Sequence, residues 1–217
     1  MSEMSRRQAV GALAALPFAA ALGPLPEWVD HGTAEAASRA VEESFAAGPP
    51  YTPKFFTPHE WRTVRLLADL VIPRDERSGS ATDAGAPEFM DYILSEYPDQ
   101  QLAMRGGLAW LDAESERRFG TRFVESGGPE RTALLNDVAW PAKARAEMKP
   151  GAAFFSRFRD LVAAGFWSSP MGIADLQYRG NTGVAEWTGC PPEALRKLGV
   201  SYGPGGDDPI VSPGIAQ

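Results

Sequence analysis

The sequence predicts an all-α protein, a compact bundle of five or six helices followed by an irregular C-terminal segment rich in glycine and aromatic residues. Three observations predict it. Apolar residues recur at spacings of three and four in successive blocks. Proline, threonine or glycine stands where those blocks should begin or end. No stretch alternates apolar and polar residues in the manner of a half-buried strand. With 217 residues, 44% of them hydrophobic and 23% charged, the chain can bury the sizeable core of one globular domain.

The first helix of the folded part starts at Thr57-Pro58-His59-Glu60. Thr57 can accept from the Glu60 amide, Pro58 suits the first turn, and Glu60 can reach back. It continues through WRTVRLLADLVI, with Trp61, Val64, Leu66, Leu67, Leu70 and Val71 as its apolar face, and ends at Pro73; RDERSGSATDAGAP then reads as a polar loop. Pro87 opens a second helix, PEFMDYILSEY. A third, from Asp99 to about Phe119, turns Leu102, Met104, Leu108, Trp110 and Leu111 inward, with Gly106 and Gly107 weakening its middle. Pro129 starts PERTALLNDVAW. The segment from Gly151 to about Phe166 has the heaviest apolar face, formed by Phe154, Phe155, Phe158, Leu161 and Val162. Pro191-Pro192-Glu193 begin a last short helix, EALRKLG, which Gly199 ends.

Outside these helices the chain is read by composition. Arg6-Arg7, followed by the moderately apolar run Ala9 to Leu22, has the form of a twin-arginine export signal over residues 1–21, with Ala19-Ala20-Ala21 as a small-residue cleavage site. The run is too short for a transmembrane helix. This export route carries folded proteins. Residues 22–50, rich in Ala and Glu, read as a leader or partly ordered segment, which puts the folded domain at 51–200 and a flexible or partner-docked tail at 201–217.

Several chemistries lack their sequence signs. A formal charge of -7 argues against a nucleic-acid partner. The single cysteine, Cys190, precludes an intrachain disulfide or a cluster ligated by this chain alone, and reads as a small buried residue. There is no dinucleotide-binding glycine motif after a strand and no C-x-x-C-H for haem. His31 and His59 read as solvent-facing or capping. Asp112, Glu114 and Glu116, beside Arg117 and Arg118, read as a solvated face. Ser168-Ser169 lacks the frame of a nucleophile elbow. No residue is assigned a catalytic, cofactor-binding or metal-ligating role.

The stretch FWSSPMGIADLQYRGNTGVAEWTGC, residues 166–190, follows neither helical nor strand period, yet it is too apolar for a solvated tail. Glycines 172, 180, 183 and 189 permit positive-φ turns or close approach of another chain. Phe166, Trp167, Met171, Asp175, Tyr178, Asn181 and Trp187 are the residues expected to meet a partner, large apolar faces with a few polar edges being what interfaces use. Asp175 and Arg179 are spaced to pair locally. Three alternatives stand beside that reading: the stretch wraps its own helices, the chain is a self-contained enzyme using Asp175, Tyr178 and Asn181, or it is a free-standing binding or scaffold protein.

The segment GFWSSPMGIADLQYRGNTGVAEWTGCPPEALRKLGV resembles the C-terminal signature of the gluconate 2-dehydrogenase subunit 3 family, the small or gamma subunits of periplasmic flavin-dependent sugar and sugar-acid dehydrogenases. LLADLVIPRDERSGSATDAGAPEFMDYIL looks like the same family's N-terminal signature, and the similarity runs from about Phe55 to Val200. The resemblance implies a noncatalytic subunit with no cofactor of its own. Its large partner, of the glucose-methanol-choline (GMC) oxidoreductase type, would bind FAD and oxidise the sugar, and a c-type cytochrome subunit, where present, would carry haem. The small subunit would bring the export signal to the Tat translocase and support maturation of the flavin-bearing chain on its way to the periplasm.

Overall fold

The computed structural model describes residues 26–48, 50–177 and 189–202. Among these are eight α-helices, one 3₁₀ turn at Ala146–Met148 and no strand, so the all-α class predicted from the sequence holds. The chain divides into two compact units, residues 1–180 and 181–217. In the first unit lie α1 (His31–Ala47), α2 (Pro58–Val71), α3 (Ala86–Glu96), α4 (Pro98–Phe119), α5 (Gly128–Val138), α6 (Lys149–Trp167) and α7 (Pro170–Asp175). In the second, α8 (Pro192–Leu198) is closed by Gly199 at φ 65°, and the Cys190 amide donates to the Tyr202 hydroxyl at 2.7 Å. Cys190 itself is half-buried rather than enclosed.

The heavy apolar face expected of α6 makes it the central helix. It packs on α2, α3, α4, α5 and α7, with Phe158, Leu161 and Val162 fully enclosed. Beside it α3 is buried on nearly every side. The reciprocal Thr57–Glu60 cap is present at the start of α2, with Glu60 N–H donating to Thr57 Oγ1 at 3.3 Å and Thr57 N–H to Glu60 Oε2 at 2.8 Å.

Two inward assignments are corrected. Leu102 is 82% exposed, because α4 buries Met104, Leu108, Leu111 and Ser115, a stripe spaced by four and three from which position 102 is turned about 160° away. Leu70 is exposed because α2 turns Thr63, Val64, Leu67 and Ala68 to the core.

The folded body also begins earlier than the expected Tyr51. Helix α1 is capped by Asp30, whose carboxylate accepts from Thr33 N–H at 2.9 Å, and is stopped by Gly48 at φ 80°. Its buried stripe is Ala34, Ala37, Ser38 and Val41, small enough to lie close on α3. Asp30 also accepts from the Tyr97 hydroxyl at 2.5 Å, and that bond above all, with the Thr33 bonds, holds its carboxyl below the usual range.

The 51–56 segment is tied down by one buried carboxylate. Asp91 of α3 accepts from the amides of Lys54, Phe55 and Phe56 at 2.7, 2.9 and 3.1 Å and from the Tyr51 hydroxyl at 2.8 Å. Burial first, and the Asp91 bond second, push the Tyr51 hydroxyl far up.

Candidate functional site

The seven residues expected at an interface divide three ways. Tyr178, Asn181 and Trp187 lie outside the described residues, as do Arg6 and Arg7 of the leader. Phe166 is fully enclosed in the chain's own core, with Trp167 half-buried against it edge-on at 4.8 Å. Met171 and Asp175 lie on α7, a short helix not foreseen in the sequence. Ser169 caps it, accepting from Gly172 N–H at 3.0 Å and donating to Phe166 O at 2.7 Å. Gly172 serves a close approach, as expected, but to its own chain: a Cβ there would stand 2.1 Å from the Phe166 carbonyl oxygen. Asp175 pairs with Arg77 at 3.1 Å, a contact 98 residues away in sequence, and the Arg77 guanidinium also donates to the Asp175 carbonyl.

That clasp gives the polar loop after α2 a definite shape. Asp75 accepts from the amides of Arg77 and Ser78 at 2.8 and 2.9 Å, Asp83 from Ser80 N–H at 2.7 Å, and Asp69 from Thr82 N–H at 2.8 Å. Ser80, Ala81 and Ala84 are buried. Side-chain bonds at these spacings turn a run of small polar residues into a fixed wall.

Between this wall, α7 and the C-terminal half of α1 lies a groove of about 380 Å³. Its floor is Gly85, Phe89 and Gly165; its sides are Val41 and Phe45 of α1 and Met171 of α7. Gly85 has φ 79°, and a Cβ on it would stand 2.4 Å from Val41, so the glycine lets α1 approach. A hydrogen bond between the buried hydroxyls of Ser38 and Ser168, 3.1 Å apart, ties α1 to the end of α6 beneath.

A second, polar pocket lies on the α2–α4 side, where two expectations are corrected. His59 is neither a cap nor solvent-facing, and Asp112 is not part of a solvated face. His59 Nε2 stands 2.5 Å from Asp112 Oδ2, both half-buried, while Asp112 Oδ1 accepts from Phe123 N–H at 3.1 Å. The expectation failed because position 112 of α4 is turned toward the first turn of α2, which only the packing reveals. Glu114 and Glu116 are paired, with Arg117 and Arg118 and with Arg122 respectively. Hydrogen bonding to Arg117, then to Arg118, holds the Glu114 carboxyl at about 2. Arg105 binds Glu60 at 2.8 Å and the Phe55 carbonyl at 2.8 Å. These groups are spent on one another, bridging helices.

Neither cavity fits a flavin dinucleotide. The groove is lined almost wholly by apolar atoms and offers no array of donors for a pyrophosphate, and Arg105 and Arg122 of the polar pocket already hold carboxylates.

Fold and surface define a helical-bundle protein with a saturated polar network on one side and a rigidly walled apolar groove on another. The chain belongs to the gluconate 2-dehydrogenase subunit 3 family, whose model matches residues 58–184, from the start of α2 past the end of α7. It is thus a subunit 3-type accessory subunit of a multi-subunit dehydrogenase. No curated protein and no solved structure matches the chain.

Proposed function

We infer that the chain is the noncatalytic small subunit of an exported dehydrogenase acting on sugars, sugar acids or glycosides, whose large partner of the GMC type holds FAD. The leader with Arg6-Arg7 directs the assembled, folded pair through the twin-arginine route to the periplasm, and the helical body supports the maturation and stability of the flavin-bearing chain. A c-type cytochrome subunit is the electron acceptor where one is present. The observation that carries the reading is the family match over residues 58–184.

The test is purification of the full chain, C-terminally tagged, from the periplasm of its own host. A stoichiometric GMC-type partner and a flavin absorption spectrum are expected. A folded chain that elutes alone and colourless overturns the reading. Replacing both Arg6 and Arg7 by Lys should leave both chains in the cytoplasm.

A further inference from the structure

We propose that the groove between α1 and α7 is the seat for an apolar anchor of the partner subunit, a Leu, Met or Phe side chain flanked by Lys or Arg. The proposal rests on the accessory-subunit reading and deepens it by naming the surface and the chemistry that fits it.

Four observations carry it. The groove is apolar and has room for more than one side chain, a form in which interface anchors are commonly received. Phe45, at its mouth, is 50% exposed on an ordered helix, a position that costs solvation in the free chain and gains burial only when something covers it. The walls are cross-tied within the chain itself, by the Arg77–Asp175 clasp, the Arg74–Asp83 pair at 2.7 Å and the buried Ser38–Ser168 bond, so part of the ordering that docking requires is already made.

The fourth observation is charge. Glu42 stands exposed on α1 one turn before Phe45 and lines the groove with no ion pair among the described residues, and Asp83 lies on the opposite rim with its charge shared by Arg74. The outstanding charge at the mouth is therefore acidic. It favours basic residues around the incoming anchor and disfavours a second copy of this chain, whose own net charge is -7. The occupant is accordingly a different chain, and in a subunit of a dehydrogenase complex that chain is the partner subunit.

The experiment compares three forms of the full tagged chain, each co-produced with the flavin-bearing subunit that the unaltered chain retains. Phe45→Asp should lower the affinity at least tenfold. The charge reversal Glu42→Lys should lower it less and mainly slow association. Leu102→Asp, on the far side of α4, should leave binding unchanged. Because Phe45 is half exposed, Phe45→Asp should keep the helical circular dichroism of the unaltered chain; a photo-crosslinking residue at position 45 tests the same point without a charge. Crosslinks to the flavin-bearing chain support the proposal. Undiminished binding by Phe45→Asp overturns it while leaving the accessory-subunit reading intact. Crosslinks from position 45 to residues 178–217 of the same chain, or to a second copy, overturn it too. An unaltered chain that retains no flavin-bearing subunit at all overturns the accessory-subunit reading itself.

Discussion

Helices α4 and α6 cross through reciprocal holes. A Cβ on Gly107 would lie 1.9 Å from the Phe154 ring, and one on Gly151 would lie 2.0 Å from Trp110, so each helix fills the other's gap with an aromatic side chain. The groove on the α1 side uses the same residue type differently. Gly85 admits Val41, and a Cβ on Gly79 would stand 2.9 Å from the Met171 sulfur, but the space between those contacts stays open and Phe45 stands half in water. In one region the glycines are covered directly by aromatic rings, beside a surface cleft of about 330 Å³; in the other the glycine lets two walls approach without meeting. A glycine in a helical protein therefore marks a close approach, and only the neighbour that arrives decides whether the approach ends in a filled core or a groove.

The contrast is sharpest in its largest expected effect. Phe158, fully enclosed on α6, should lose about 3–5 kcal/mol of stability on Phe158→Ala, by lost burial and the cavity left behind. Phe45→Ala should lose about 1 kcal/mol or less, because half of that ring is already hydrated. Urea unfolding of the pair measures both, and equal losses would break the distinction between a closed and an open region.

A smaller effect separates adjacent glycines. Gly107→Ala should destabilise by about 1–3 kcal/mol, since the Phe154 ring must move. Gly106→Ala meets nothing within 4 Å and should stabilise by roughly 0.5–1 kcal/mol through helix propensity. Thermal unfolding should thus move in opposite directions for neighbouring positions.

The smallest effect concerns two carboxylates one turn apart on α3. Asp91 is saturated by four donors, whereas Glu88, 3% exposed, meets Arg65 at 3.3 Å through Oε1 and leaves Oε2 without a protein partner. Burial is the main cause that pushes the Glu88 carboxyl above its ordinary 4.5. The folded state then binds a proton that the unfolded state has released, so stability falls as pH rises from about 4.5 through the raised value. Glu88→Gln removes that dependence and should match or exceed the unaltered chain at neutral pH while losing its advantage toward pH 4. A variant clearly less stable at pH 7 would show that the Arg65 pairing outweighs the burial cost.

Much of the architecture was legible in advance. The start of α2, the proline-led starts of α3 and α5, the stop at Gly199 and the heavy face of α6 follow from residues within one or two turns of each other. Helix α7 was missed because its cap, Ser169, follows the end of α6 at once, and its six residues are too few to show a period. The site was less legible than the fold. Met171 and Asp175 lie within a stretch that invited attention, but the groove wall opposite Met171 comes from α1, which read as a leader, and Arg77 came from a loop with no apolar signal. A signal did exist for α1: Asp30 ahead of Thr33, Gly48 at the far end, and between them Ala34, Ala37, Ser38 and Val41 at helical spacing.

By itself the sequence determined where the helices from α2 to α6 and α8 roughly lie, that the class is all-α, and which family the chain resembles, since caps, prolines and apolar periods act over a few residues. Only the tertiary structure decided that an alanine-serine stripe is core while Leu102 and Leu70 are surface, that His59 bridges to Asp112 rather than facing water, and that α1 and α7 leave a groove between them. The physical reason is that burial belongs to pairs of surfaces. Hydrophobicity sets how much a residue gains from leaving water, but the close approach of a distant segment decides whether it does.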